Sequence, residues 1–221
     1  MSKIDFIEDF KSICGDIEFT TEYVCKITSE NIITDRVNIG FKPTAKRTLI
    51  GMANQIFDNT DKINDFINKI YDQYEDKIHK IYFGYAGGYK ELYLEIKEPY
   101  ESSNIISYDE TNDKEYEYIL SDISDKAKEL VNDIFEKTGL IIPSVDTYSK
   151  VGYVKNNTNY FMVSESLNNL AFILKEYCKH INPNIEELET FLQEHSSNIL
   201  NIIGYKNENG KISLNIYIKQ Q

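Results

Sequence analysis

Four stretches of the chain alternate apolar and polar residues, and between them apolar residues recur every three or four positions. The alternating stretches span 22–42, 79–97, 146–165 and 198–219. Each consists of two β-prone runs around polar or Gly/Asn-rich residues, the pattern of a β-hairpin. The last three share a Gly-Tyr pair late in the first run: Gly84-Tyr85, Gly152-Tyr153 and Gly204-Tyr205. Recurrence at the same place in each hairpin points to an internal repeat. Helical spacing runs through Leu49, Ile50, Met52, Ala53, Ile56 and Phe57, then through Ile63, Phe66, Ile67, Ile70 and Tyr74, with "DNT" at 58–60 as break and new cap. Further helices are expected at 121–139, closed by Gly139, at 166–181, at 185–195, and near the N-terminus over 3–14. The segment 103–120 reads either as a fifth hairpin or as an irregular excursion.

The predicted order is α, ββ, αα, ββ, α, ββ, αα, ββ, a single α+β domain over 1–221. Hairpins give antiparallel pairs, and the helices between them cover one face of the sheet. On the return strand of the first hairpin Val37, Ile39 and Phe41 alternate with Arg36, Asn38, Gly40 and Lys42. On the last, Ile212, Leu214, Ile216 and Ile218 alternate with Ser213, Asn215, Tyr217 and Lys219. The aliphatic series belongs against helices. The second series is polar, aromatic and basic, and its environment depends on closure. In an antiparallel barrel with helices outside, it lines a lumen. In an open sheet with helices on one face, it meets solvent. With 17 tyrosines in the chain, whose large amphipathic rings suit a wall that contacts something, the barrel is the preferred expectation.

Charge and cysteine content narrow the partners. A net charge of −12 argues against nucleic acid, which is held through neutralised phosphates. No run reaches the roughly 18 apolar residues of a membrane span, and acidic residues interrupt the apolar N-terminus "MSKIDFIEDF", unlike a secretory signal. The expectation is a cytoplasmic protein. Cys14, Cys25 and Cys178 form no CxxC pair, and His79, His180 and His195 show no ligand spacing, so no metal site is expected. Phosphate-loop, dinucleotide-loop and GxSxG motifs are absent.

The segment "GGYKELYLEI" at 87–96 is similar to a Gly-Gly-aromatic-Lys strand of the soluble aromatic prenyltransferases with the αββα (ABBA) barrel, and "GYKNENGKISLNIYI" at 204–218 resembles one of their hairpins. The repeat of helix pairs and hairpins resembles that fold over most of the chain. The resemblance implies transfer of a prenyl group from an allylic diphosphate to an aromatic or other nucleophilic small molecule in the barrel centre. It places the family's lumen tyrosine on Tyr93 and its diphosphate lysine on Glu91, a departure, with Lys90 one residue away. It also implies five hairpins, where four are clear here. No Asp-rich motif accompanies it, so Mg²⁺ is optional.

On that reading the diphosphate-binding candidates are Lys26, Arg36, Lys80 and Lys150, with Lys42 and Lys219 at strand ends as weaker ones. Cations in a low-dielectric cavity stabilise a departing diphosphate. As ordinary surface lysines they would instead guard strand edges. Tyr82, Tyr89, Tyr93, Tyr148, Tyr160 and Tyr217 are the cation-shielding candidates, through their ring faces and by excluding water, although tyrosine is also a common strand residue. Glu91 and Glu95 share a face and are the candidates for a general base on the acceptor, or for cross-strand salt bridges to lysine. Two alternatives stay open: a non-catalytic binding or inhibitory module that uses a tyrosine-rich sheet face, and a ligand-binding barrel without chemistry.

Overall fold

A computed structural model describes residues 2–97, 103–122, 124–142, 149–153 and 158–221. Six helices occupy nearly the expected places among these residues: α1 (Lys3–Cys14), α2 (Lys46–Ile56), α3 (Thr60–Tyr74), α4 (Ser124–Thr138), α5 (Leu167–Lys179) and α6 (Glu186–Glu194). The strands are β1 (Phe19–Ile27), β2 (Ile32–Phe41), β3 (Ile78–Ala86), β4 (Tyr89–Lys97), β5 (Ser103–Asp109), β6 (Lys114–Asp122), β7 (Ser149–Tyr153), β8 (Asn159–Ser166), β9 (Ile199–Glu208) and β10 (Lys211–Lys219). The open segment at 103–120 is therefore a fifth hairpin. The α+β class and the antiparallel pairing agree with the pattern of the sequence.

Local chemistry sets the element ends. Ser2 and Asp5 form a capping box that starts α1, with the Asp5 amide donating to Ser2 Oγ at 3.2 Å and the Ser2 amide to Asp5 Oδ2 at 2.7 Å. Asn59 caps α3 by accepting from the Lys62 amide at 3.3 Å. Gly87 and Gly88, with φ of 56° and 98°, make the two-residue turn between β3 and β4, where positive φ at both positions calls for glycine.

The chain divides into two compact units. The first contains residues 1–21 and 35–119. Its strands run in the order β2, β3, β4, β5, β6, and α1, α2 and α3 cover one face. Ile39, Phe41, Ile81, Phe83, Tyr85, Leu92, Leu94 and Tyr108 are buried there with Leu49, Met52, Ile63, Phe66 and Ile67 of the helices. The ring of Phe10 lies 5.7 Å from that of Phe41 and 5.6 Å from that of Phe83, and Tyr85 stacks on Phe6 at 5.2 Å. The second unit contains residues 22–34 and 120–221. Here β1, β10, β9, β8 and β7 neighbour one another in that order, with α4, α5 and α6 on one face. Cys25, Ile27, Phe161, Ile203, Tyr205, Leu214 and Ile216 pack with Leu130, Leu170, Leu174, Tyr177, Leu188 and Phe191.

Both units thus have a helix-packed face and a face that the helices do not cover. Tyr85 and Tyr205 of the repeated Gly-Tyr pairs lie on the helix-packed side, and Gly84 and Gly204 on the other. The third pair differs in register. Lys150, Val151 and Gly152 are the partners of Phe161, Tyr160 and Asn159, so the Lys150 and Gly152 positions share the register of the helix-packed Phe161.

Candidate functional site

Glycines on the helix-free faces let tyrosines lie low across the sheet. Gly40 of β2 is the register partner of Tyr82 on β3, and a Cβ built on Gly40 would meet Tyr82 Cε1 at 2.7 Å. Gly204 of β9 is the partner of Tyr160 on β8, and its Cβ would meet Tyr160 Cε1 at 2.6 Å. Only a residue without a side chain accepts a ring so close. Above the first of these rings, Lys80 Nζ stands 4.7 Å from the centroid of Tyr82, a cation–π contact.

Gly84 serves the same purpose for a polar group in the first unit. Its register partners are Asn38 on β2 and Glu91 on β4. A Cβ there would lie 3.0 Å from Tyr93 Cε2 and 3.1 Å from Asn38 Oδ1. Tyr93 leans over this gap and its hydroxyl donates to Glu91 Oε2. Directly opposite Glu91 on β5 is Asp109, and opposite Tyr93 is Ser107. Asp109 is nearly fully buried and accepts from the Asn112 amide at 3.1 Å and from Asn112 Nδ2 at 2.6 Å. Ser107 is completely buried, and its Oγ has no hydrogen-bond partner. The ring of Tyr118 on β6 is 6.2 Å from that of Tyr93.

The electrostatics of this group centre on Glu91. Desolvation pushes its carboxyl above the ordinary value, the Tyr93 hydrogen bond opposes that, Asp109 adds to it, and the Arg36 guanidinium acts in the opposite direction. Tyr116 on β6 is also raised, through desolvation and the charges of Asp109 and Glu91. Glu91, Asp109, Arg36 and Tyr116 therefore feel one another's charge. Further along the same face, Glu95 pairs in register with Lys80.

In the second unit the helix-free face carries Lys26 opposite Asn215 and Val24 opposite Tyr217. The rings of Tyr160 and Tyr217 meet edge to face at 5.9 Å. Met162 and Ile202 are register partners on this face, which makes it more apolar than that of the first unit.

The sequence-derived candidates divide accordingly. Arg36, Lys80, Tyr82, Glu91, Tyr93 and Glu95 share the helix-free face of the first unit, and Lys26, Tyr160 and Tyr217 that of the second. Tyr89 begins β4 and is 52% exposed, at the margin rather than within the group. Lys150 has the register position described above, and Tyr148 lies outside the described residues. Asp109, Ser107, Tyr116 and Tyr118 were missed because they belong to the hairpin that the pattern left open. Asn38, Gly40 and Gly84 were visible as the polar and small positions between Val37, Ile39, Phe41 and between Phe83 and Tyr85, but glycine carries no chemistry to attract notice.

Among the described residues no three His, Cys, Asp or Glu side chains gather as a metal site, and no helix is long and apolar enough to cross a membrane. No family model and no curated protein matches this chain.

Proposed function

We propose that the strands of the two units continue into one closed αββα barrel, and that its interior transfers a prenyl group from an allylic diphosphate to an aromatic or other nucleophilic small molecule. The observation that carries this reading is the pair of tyrosines laid over glycines on the helix-free faces, one of them with an ammonium group already over its ring. A ring face that holds Lys80 is a face that stabilises an allylic cation. A further feature supports it: the fifth hairpin brings the element order into agreement with the five-hairpin barrel that the resemblance implies.

In the proposed reaction the C–O bond of the donor breaks and its electron pair leaves with the diphosphate. Lys26, Arg36 and Lys80 balance that charge. Tyr82, Tyr93, Tyr160 and Tyr217 surround the cation and exclude water. The acceptor supplies the electron pair of the new bond, and its proton passes to Glu91 or Glu95. Mg²⁺ is optional in this scheme. A cytoplasmic location fits it.

A second reading, a binding module without chemistry, is favoured by one observation: the cations of the first unit face carboxylates, Arg36 acting on Glu91 and Lys80 standing opposite Glu95. Thermal melting with dimethylallyl, geranyl and farnesyl diphosphate, each with and without Mg²⁺, separates the two, because a ligand of the folded state raises the melting temperature. The transferase reading expects a shift with one chain length that is lost in Lys26→Ala or Arg36→Ala. No shift with any donor leaves the binding module.

A further inference from the structure

The group around Glu91 places two carboxyls side by side next to a buried hydroxyl without a partner. Glu91 and Asp109 are directly opposite each other on adjacent strands, a placement that sets Cβ atoms about 5 Å apart. Like charges so placed repel, and the Arg36 guanidinium offsets part of this at Glu91. Next to this pair, on the same face, the hydroxyl of Ser107 is fully buried and unpartnered. An unmade hydrogen bond at such a site costs stability, and a bound ligand that completes it is one reason for such a group to be kept. A hydroxyl both donates and accepts, whereas the neighbouring carboxylates only accept. A group that brings positive charge and several N–H donors would complement all three.

We infer that Glu91, Asp109 and Ser107, walled by Tyr93 and Tyr116, form a subsite for a protonated amine, and that the small-molecule acceptor is an aromatic compound bearing such an amine. The inference rests on the reading of the interior as a small-molecule site and names the acceptor within it. An ammonium group carries three donors on a compact charge, which suits three acceptors on two adjacent strands. Tyr93, whose hydroxyl donates to Glu91, and Tyr116, which feels the charges of Asp109 and Glu91, add aromatic surface for the ring and the charge. Burial holds the Glu91 carboxyl above its ordinary value and the neighbouring Asp109 adds to this, against the Tyr93 hydrogen bond and Arg36. Neither a diphosphate nor a carboxylate would be drawn here, since each adds charge of the sign already in excess. Donor and acceptor thereby separate by charge: the anion goes to the lysines, the cation to the acid pair.

The test is calorimetric titration of the full chain with three probes of one skeleton: tyramine, tyrosol and hydroxyphenylacetate, which carry an amine, an alcohol and a carboxylate. Tyramine is expected to bind, with the alcohol weaker by about 10-fold or more and the carboxylate weakest, in line with a charge-assisted hydrogen bond. Glu91→Gln and Asp109→Asn keep shape and remove charge, and each should weaken tyramine by about 10-fold while leaving tyrosol nearly unchanged. Ser107→Ala should weaken tyramine too. Equal binding of tyramine and tyrosol, preference for the carboxylate, or no binding of tyramine to the folded parent protein overturns the inference, whether or not the variants fold. The allylic diphosphate melts report on the other reading independently. Diphosphate binding without amine binding sinks this inference alone, and amine binding without diphosphate binding sinks the transferase reading and the acceptor role with it, leaving the amine subsite.

Discussion

The ring of Tyr82 rests on the backbone of Gly40, its partner across the β2–β3 pair, so closely that a methyl group on Gly40 would come within 2.7 Å of Cε1. The contact holds the ring low over the sheet and beneath the ammonium group of Lys80. Glycine is a weak strand residue, so its use here serves the tyrosine.

Gly40→Ala should destabilise the protein by about 1–3 kcal/mol, the usual range for overpacking. Urea unfolding of the single and double variants checks the cause. Most of the cost should vanish in a Tyr82→Ala background, because the two changes act on one contact. A cost that survives undiminished there would place the strain elsewhere.

Gly51 gives the opposite case. It lies in the interior of α2, exposed, with nothing within 4 Å of where its Cβ would stand. Gly51→Ala should raise stability by about 0.5–1 kcal/mol through the unfolded chain's lost freedom. The midpoint of urea unfolding should rise with an unchanged slope.

Ser107→Ala removes a buried hydroxyl that has no partner. The variant should be more stable than the parent by about 1 kcal/mol, the low end of the cost of an unmade hydrogen bond. Together with weaker tyramine binding, that gain would mark a residue kept for its ligand at the expense of the fold. A loss of stability would mean that the hydroxyl is satisfied in solution.

Glu91 makes stability depend on pH in a defined direction. Its carboxyl is raised from the ordinary 4.5 in the folded protein, so the folded state holds a proton that the unfolded chain has released. The associated stabilisation is complete below 4.5 and disappears as pH rises through the higher folded value. Glu91→Gln should erase this slope. Relative to the parent, the variant is expected to gain stability as pH increases from acid toward neutrality, measured by unfolding at a series of pH values. A difference between them that stays constant with pH would show that Glu91 titrates normally.

Much of the fold was legible because amphipathic periodicity reports directly on which positions meet helices. Val37, Ile39 and Phe41, and Leu214, Ile216 and Ile218, were assigned to the helix-packed side from alternation alone, and all are buried there. The hairpin of β5 and β6 escaped because the usual signal is reversed on β6. Glu115, Glu117 and Ile119 are exposed on the side where other strands carry aliphatic residues, while Tyr116 and Tyr118 turn toward Glu91 and Tyr93. On that side Glu115 meets Lys69 of α3 through an ion pair at 2.6 Å rather than through aliphatic packing, so β6 has no aliphatic series to announce it.

The sequence by itself determined the helices, four of the hairpins and the face on which Arg36, Lys80, Glu91, Tyr93 and Glu95 stand, since these depend on periodicity and on turn-forming residues close along the chain. It could not determine that Asp109 stands opposite Glu91, or that Ser107 lies buried beside them without a partner. Those facts arise from strand register between β4 and β5, which the packing of Leu92, Leu94 and Tyr108 on the helix side selects. A shift of one residue would exchange the two faces. Tertiary packing alone therefore brought the two carboxyls together.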